Sequence, residues 1–435
     1  MKHTNTRKQA DEEPLICPSL LKTWICRLFL IVLASAVNTK STLAQKLLNV
    51  VSGKHYFNDN NGKPVLWQGD TQWEMFHVMS PSEAKTLMVE RKKQGFNVIQ
   101  VMATGVFPEW GQRHGLDFIP KQEAWLSRDP SQPNEQYFSR VDSIVRASAQ
   151  LDVTLVIGVF HAQDIEKGRI NLKNIRPWAT WLASRYKNVT NIIWSMYPHA
   201  DSASVAYVQL AAQGLQQGDG NAHYITIHPD PSPKSSSFLH QLPWLAFNTL
   251  QTWSNEKINY DMVMKDYKLM PVKPVINGEA RYEAEDGTTA LQTRRAGYWS
   301  YLAGGYYTYG HRDNWRSPQT WRSWYNSPGA QAMKIMGEIF RSLEWWKLLP
   351  DTTLLTEPSH EAVAAISFDK QWMLIYYPKP GEVTVNVNKL RTTTVSATWI
   401  NPATGKRSVI LTISATKPLA FSPPQDWQDA LLLIK

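Results

Sequence analysis

From residue 65 onward, short apolar runs alternate with amphipathic stretches, and most of the runs end in a polar side chain. The amphipathic stretches predict helices, the first of which begins at Ser80 with Pro81 at its first position and Glu83 completing a capping box. The runs predict eight strands, at residues 65–70, 97–102, 153–159, 191–196, 224–228, 244–251, 274–279 and 304–310. Eight strand–helix units favour a (β/α)8 TIM barrel, in which chemistry gathers at the C-terminal ends of the strands.

Beyond residue 350 the pattern changes to short alternating strands without an intervening helix. The predicted strands are residues 366–368, 372–377, 383–387, 396–400 and 409–413, and residues 401–405 are typical of a hairpin turn. We therefore expect a catalytic domain over residues 45–349, ending in a long helix at residues 330–345, and a small antiparallel β-sandwich over residues 350–435.

Residues 1–44 have the pattern of a secretory signal peptide. Lys22 and Arg27 precede an apolar run at residues 28–37, and Thr42-Leu43-Ala44 offers small residues for cleavage. The run is shorter than the roughly 20 residues that span a bilayer. We expect a periplasmic or secreted protein with no stable membrane insertion after signal cleavage, the alternative being an uncleaved anchor.

The composition of the chain limits which metals, cofactors and partners we expect. Both cysteines, Cys17 and Cys26, lie in the leader, so the mature chain is predicted to have no disulfide and no Cys-ligated metal. The net charge of +9 comes from scattered residues rather than a basic run, which disfavours nucleic acid as a partner. We find no spaced His, Asp and Glu cluster for a catalytic metal and predict no cofactor.

Aromatic residues are abundant, with 19 Trp, 17 Tyr and 13 Phe. Their faces stack on sugar rings, although large core residues are the alternative explanation.

The strand at residues 274–279 delivers a carboxylate into a polar, aromatic loop. Pro274 suits the first position of a strand, and a period of two places Val275, Asn277 and Glu279 on one face, which we predict to be the inward one. Glycoside hydrolysis requires two carboxyl groups that flank the scissile bond. Glu279 is our candidate for the ionised one, and a solvated carboxylate just past the strand is the alternative.

The second carboxyl group is predicted from the fourth strand, whose end lies across the barrel from Glu279. Asp201 follows that strand and is our candidate acid/base, but it could equally cap the following helix. Asp164 and Glu109 are reserve candidates, each with a surface loop position as the alternative.

Other polar and aromatic residues at or near strand ends would bind the sugar. Asp70 would bind hydroxyl groups, with a purely structural acid as the alternative, and a lone His is often structural as well. The predicted substrate-binding set is Asp70, Trp73, Trp194, His228, Gln251, Tyr309 and Trp315.

Taken together, these motifs resemble the apiosidase-like glycoside hydrolases, barrel enzymes whose C-terminal domain resembles a collagen-binding module. The matching segments are residues 67–71 with Trp73, 191–194, 226–229, 277–279 with Tyr282 and Glu283, and 309–311 with Trp315. The resemblance implies a retaining mechanism with Glu279 as the nucleophile.

One segment departs from the family pattern. Family members carry Gly-Gly-Asp soon after the fourth-strand Trp, with that Asp as acid/base, whereas this chain reads Ser-Met-Tyr-Pro-His-Ala-Asp over residues 195–201. Counting from Trp194, the Asp position falls on His199. Asp201 takes the role only if the loop is two residues longer, and apiose is not implied as the sugar.

The sequence thus predicts an exported retaining glycoside hydrolase acting on complex polysaccharides, such as those of plant cell walls, or on their oligosaccharide fragments. A non-catalytic carbohydrate-binding protein on a barrel with a disabled acid/base site is the alternative. Adhesion to collagen or another protein through residues 350–435 is a third hypothesis, based on fold analogy alone.

Overall fold

A computed structural model describes Met1 and residues 47–106, 123–199, 201–230, 233–313, 321–356 and 361–435. Lys46–Lys435 forms one compact unit. The predicted leader with its two cysteines and the candidates Glu109 and Trp315 lie outside the described residues.

A small antiparallel sheet opens the described chain. Its strands are β1 (Asn49–Val50), β2 (Phe57–Asn58) and β3 (Pro64–Val65). The Phe57 ring is fully buried, with ring centroids 5.4–5.7 Å from those of Trp67, Phe247 and Tyr306. Since these three residues lie at or just before the starts of later strands, the small sheet covers the end of the fold opposite the strands' carboxyl ends.

The central sheet contains nine strands within the described part of the chain. They are β4 (Gln68–Thr71), β5 (Val98–Met102), β6 (Thr154–His161), β7 (Ile192–Tyr197), β8 (Tyr224–Ile227), β9 (Lys234–Ser235), β10 (Asn248–Gln251), β11 (Val275–Glu279) and β12 (Tyr306–Tyr309). The order is β8-β7-β6-β5-β4-β12-β11-β10-β9, parallel except for β9, which runs antiparallel to β10.

The two ends of this curled sheet approach each other between β8 and the chain just before β10. Ile225 and Leu245 form a single parallel bridge, and the Ala246 N–H donates to the Ile225 carbonyl over 2.9 Å. The predicted α/β class is confirmed, whereas the pairing stops short of a full ladder between β8 and β10.

Helices separate most of the parallel strands. They are α1 (Met75–Val78), α2 (Pro81–Lys93), α3 (Glu135–Gln150), α4 (Ala162–Glu166), α5 (Ile175–Tyr186), α6 (Ser204–Asp219), α7 (Ile258–Tyr267), α8 (Ala290–Leu302), α9 (Trp321–Trp324) and α10 (Pro328–Arg341). The predicted capping box forms, with the Glu83 N–H 3.2 Å from the Ser80 hydroxyl oxygen. In the described residues, no helix has the length and apolar character needed to span a membrane.

The C-terminal region is an antiparallel β domain. Its strands are β13 (Leu348–Pro350), β14 (Val363–Ser367), β15 (Met373–Tyr377), β16 (Val383–Val385), β17 (Thr394–Ile400), β18 (Arg407–Ser414), β19 (Leu419–Phe421) and β20 (Ala430–Ile434). Six of them pair in the order β13-β14-β15-β20-β17-β18, and β16 pairs with β19. The strand β20, which the sequence pattern did not predict, lies at the centre between β15 and β17.

Both faces of the six-stranded sheet are buried at strands β14, β15 and β20. Met373 and Ile375 share a core with strands β16 and β19, while Leu374 and Tyr376 pack toward the catalytic domain. On that second face the Tyr376 ring stacks on Tyr298 of α8 at 4.8 Å. The β domain is therefore packed firmly on the helices of the catalytic domain.

Candidate active site

A register shift in β11 sets the direction of Glu279. Leu250 pairs with Asn277, but the next residue, Gln251, pairs with Glu279, so Gly278 has no partner on β10. The Asn277 side chain donates to Asn259 of α7 over 2.9 Å and therefore faces the helix layer. This corrects the prediction that Asn277 and Glu279 share an inward face, because the extra residue re-aims the side chain that follows it.

Gly278 fits where a larger residue would collide. A Cβ atom there would lie 2.7 Å from the Thr249 Cγ2 atom and 3.2 Å from the Gln100 Oε1 atom, both in the interior of the curled sheet. The Gln100 amide also donates to the Gly278 carbonyl over 2.9 Å. The backbone before Glu279 is thus fixed by contacts from neighbouring strands.

Two side chains hold the Glu279 carboxylate, which is 9% exposed. The Tyr282 hydroxyl donates to Oε1, and the His228 Nε2 atom lies 3.1 Å from Oε2. His228 is fully buried, and its ring nitrogens form no well-aligned hydrogen bond with the described residues. The Tyr282 hydroxyl therefore orients one carboxylate oxygen by a hydrogen bond to a charged group, and the imidazole ring lies beside the other oxygen.

Tyr282 is itself held by Trp73, whose indole N–H donates to the Tyr282 oxygen over 2.9 Å. Burial raises the pKa of Tyr282 well above its ordinary value, so the phenol stays neutral and donates across the physiological pH range. Trp73, Tyr282 and Glu279 therefore form a continuous hydrogen-bonded chain.

Aromatic rings enclose the carboxylate. Tyr197 lies 5.1 Å from Trp73 and 4.7 Å from His228 between ring centroids, and Trp253 lies 5.2 Å from Tyr282. Trp253 is half-buried, its φ of 42° is left-handed, and its N–H donates to the Glu279 carbonyl. A strained residue bonded to the chain at Glu279 is typical of a functional position.

Of the predicted set, the structure gathers Trp73 and His228 around Glu279, and Gln251 lies opposite Glu279 in the ladder. Tyr197, Tyr282 and Trp253 were not in that set. For Tyr197 and Trp253 the sequence signal was an aromatic residue at or just past a strand end, which is weak because the chain is rich in aromatics. Tyr282 belongs to a motif that carries the family resemblance.

Three predicted residues face the helix layer instead. The Asp70 carboxylate accepts from the Arg91 Nε atom at 2.9 Å, the Trp194 indole N–H donates to an Asp219 oxygen at 3.0 Å, and the Tyr309 hydroxyl donates to Glu283. Asp70, Trp194 and Tyr309 are each fully buried. These contacts are structural, and they correct the expectation that the three line the sugar pocket.

Asp201 has the properties of a helix cap. It is exposed, and its Oδ1 atom accepts the Ser204 N–H at the start of α6 over 2.9 Å. This hydrogen bond holds the pKa of Asp201 below its ordinary value, whereas a general acid must carry its proton near neutral pH. The structure thus favours the capping alternative.

Asp164, the reserve candidate, is buried and bonded to its own surroundings. Its Oδ2 atom accepts the His161 N–H over 3.1 Å at the start of α4, and its Oδ1 atom lies 3.3 Å from the Arg169 Nη1 atom.

Within the described residues, no group of three or more His, Cys, Asp or Glu side chains is arranged to hold a metal ion.

Comparison with solved structures shows the fold to be that of glycoside hydrolases. One structure titled "Glycoside hydrolase" is 22% identical with a TM-score of 0.77, covering 89% of this chain and 96% of its own. A glycoside hydrolase family 5 protein from Bacteroides vulgatus is 21% identical with a TM-score of 0.77, covering 90% and 93%. A β-L-arabinopyranosidase from Geobacillus stearothermophilus is 10% identical with a TM-score of 0.53, covering 85% and 97%.

Family models identify both parts of the chain, although no curated protein matches it. The model described as "Putative collagen-binding domain of a collagenase" matches residues 349–435. The model described as "Apiosidase-like, catalytic domain" matches residues 51–347, well over half of the chain. The protein therefore belongs to the apiosidase-like family, as its motifs predicted, and is a glycoside hydrolase.

Proposed function

We propose that the protein is a retaining glycosidase in which Glu279 is the nucleophile. The observation that carries the proposal is the carboxylate at the end of β11, held by Tyr282 and His228 and enclosed by the rings of Trp73, Tyr197 and Trp253. In a retaining mechanism one carboxylate attacks the anomeric carbon while a second carboxyl group protonates the leaving oxygen.

The surroundings of Glu279 suit such an attack. The Tyr282 hydroxyl bonds to one carboxylate oxygen and the His228 ring lies beside the other, so the group cannot rotate freely. A fixed nucleophile beside aromatic surfaces loses little orientation entropy when a sugar binds. Attack by Glu279 would form a covalent glycosyl ester that water then hydrolyses.

The substrates we propose are complex polysaccharides, such as those of plant cell walls, or oligosaccharides derived from them. The aromatic walls support a sugar ligand, and the half-buried Trp253 offers a ring face for stacking. The leader pattern supports export to the periplasm or medium, where such polymers occur. N-terminal sequencing of the mature protein tests export, and a full-length chain retained in the cytosol would contradict it.

We also propose that the sheet closes as a (β/α)8 barrel. The Ile225–Leu245 bridge and the Ala246 hydrogen bond support closure. Slow hydrogen exchange at the Ala246 amide is expected, and rapid exchange there would contradict it.

Glu279→Gln tests the nucleophile. A panel of 2,4-dinitrophenyl glycosides of plant cell-wall sugars first identifies one that the wild type cleaves. We expect the variant to lose several orders of magnitude in kcat on that substrate, because an amide does not form the ester. Glu338→Gln on the exposed face of α10 is the matched control. Full activity in Glu279→Gln would contradict the proposal.

The altered loop after β7 supports a second candidate, a carbohydrate-binding protein without turnover, because Gly-Gly-Asp is absent there. Calorimetry with cell-wall oligosaccharides separates the two. Equal affinity in the wild type and Glu279→Ala, with no product over days, would favour binding alone, and any turnover by the wild type would remove that candidate.

A further inference from the structure

The ladder between β7 and the chain after β8 continues past the last residue of β8. The His228 N–H donates to the Met196 carbonyl over 2.8 Å, and the Asp230 N–H donates to the Pro198 carbonyl over 2.9 Å. Asp230 then forms a parallel bridge with His199. The chain to Asp230 is therefore extended and fixed against the loop in which the family's Asp is missing.

This extension fixes the direction of the Asp230 side chain. Thr226 contacts Thr249 in the interior of the curled sheet over 3.0 Å, and His228 points at Glu279. Because alternate residues of an extended strand share a face, Asp230 lies on that same face, about 6 to 7 Å beyond His228 toward the mouth. Glu279 and Asp230 thus face the same space from two strands.

The Asp230 carboxyl group is not taken up by a neighbouring side chain. It is half-buried, and it forms no hydrogen bond or ion pair with the described residues. The Asp201 carboxylate, by contrast, accepts a hydrogen bond from the start of α6. The His199 Nε2 atom lies 2.7 Å from the Glu166 Oε1 atom.

The electrostatic surroundings favour a protonated Asp230. Burial raises its pKa above the ordinary value, as do the negative charges of Glu279 and Glu166, while His228 and His199 act in the opposite direction. A carboxyl group beside a second, ionised carboxylate keeps its proton to higher pH, which is the condition for a general acid.

We propose that Asp230 is the acid/base of this enzyme, displaced from the loop after β7 to the loop after β8. The proposal rests on the retaining mechanism with Glu279 as nucleophile. Asp230 was not among the predicted site residues, because the family resemblance places the acid/base after the fourth strand.

The proton balance follows from that role. As Glu279 attacks the anomeric carbon and the glycosidic C–O bond breaks, the Asp230 O–H proton passes to the leaving oxygen. The Asp230 carboxylate then takes a proton from water, whose oxygen attacks the anomeric carbon and breaks the ester to Glu279. Both carboxyl groups return to their starting states.

Leaving-group dependence in Asp230→Ala tests the proposal. The wild type and the variant are compared on the 2,4-dinitrophenyl glycoside, whose leaving group needs no proton, and on the phenyl glycoside of the same sugar, which does. We expect kcat/KM on the phenyl substrate to fall by about 10²–10⁴-fold and on the dinitrophenyl substrate far less. Azide should accelerate turnover of the dinitrophenyl substrate and yield a glycosyl azide of retained configuration.

The pH profile gives an independent measurement. In the wild type, kcat/KM on the phenyl glycoside should fall as pH rises through the pKa of Asp230, because only the protonated acid is active. This alkaline limb should be absent in Asp230→Ala. Asp230→Asn, which keeps the side-chain volume, should behave in the same way and guards against a folding defect.

The Asp201→Ala variant tests the competing assignment, in which Asp201 is the acid/base. If it shows the leaving-group split and azide rescue while Asp230→Ala behaves as the wild type, the assignment to Asp230 is overturned but Glu279 stands. An equal loss on both substrates without azide rescue, in both Asp230 variants, would also overturn it. Full activity in Glu279→Gln would instead remove the mechanism on which the proposal rests.

Discussion

Tyr282 links the aromatic wall to the nucleophile at the scale of single residues. It accepts from the Trp73 indole and donates to Glu279, and its raised pKa keeps it in the donating form. When Glu279 attacks the sugar, its carboxylate loses negative charge and becomes an ester. The Tyr282 hydroxyl must remain in place to stabilise the carboxylate that forms again when the ester is hydrolysed. We therefore assign Tyr282 a positioning role.

Tyr282→Phe tests that role. Hydrogen bonds to charged groups contribute about 1.5–3 kcal/mol, so we expect kcat to fall roughly 10- to 150-fold. The effect should be on kcat more than on KM, because the ring that contacts Trp253 is retained. Tyr207→Phe on α6 is the matched control, and equal kcat values for the two variants would argue against the role.

The residues around the candidate nucleophile were predictable from the sequence where they lie at or just past the carboxyl end of a strand. Glu279, Trp73 and His228 come together as expected. Asp70 and Trp194 do not, because parallel strands in an α/β fold are buried on both faces. The alternation of side chains along such a strand defines two faces but does not show which face points into the curled sheet. Asp70 and Trp194 lie on the face that is covered by helices.

At the scale of single elements, the bulge at Gly278 sets the direction of the Glu279 side chain. One unpaired residue turns Glu279 away from the face that Asn277 occupies. Periodicity predicts regular strands, so neither the bulge nor its consequence was visible in the sequence. Most of the helices and strands were nonetheless predicted from the sequence. Helix α10 ends at Arg341, earlier than predicted.

Gly278→Ala tests the packing of this element. The added methyl group would meet the Thr249 Cγ2 atom at 2.7 Å, and overpacking costs about 1–3 kcal/mol in the free energy of unfolding. We expect kcat to fall too, because the shift propagates to the adjoining Glu279.

Adding Thr249→Ser to this variant removes the colliding methyl but keeps the hydroxyl that contacts Thr226. Chemical denaturation and kinetics of the double variant should therefore show recovery. No recovery of either quantity would show that the collision is elsewhere.

On the scale of the whole molecule, the C-terminal sheet is a second layer of the catalytic domain's own core. The central strand β20 reads as a continuous apolar run, as expected for a strand buried on both faces, and for that reason alternation did not reveal it. Arg294 of α8 forms a bidentate pair with Asp429 at 2.8 and 2.7 Å, and both side chains are at most 5% exposed.

Asp429→Ala should destabilise the whole unit. Removing one partner of a buried pair leaves a charge without compensation and costs about 3–5 kcal/mol. Asp261→Asn, which breaks an exposed pair with Lys257, is the control and should cost less than about 1 kcal/mol. Denaturant unfolding measures both, and equal midpoints would show that the buried pair does not hold the domains together.

In the proposed mechanism Glu279 forms a covalent bond to the sugar. The most direct measurement is mass spectrometry of peptides after incubation with a 2-deoxy-2-fluoro glycoside, made on the sugar that the wild type cleaves and bearing a dinitrophenyl leaving group. We expect a fluoroglycosyl adduct on Glu279, with loss of activity at the same rate. An adduct on another residue, or continued activity without an adduct, would contradict the account.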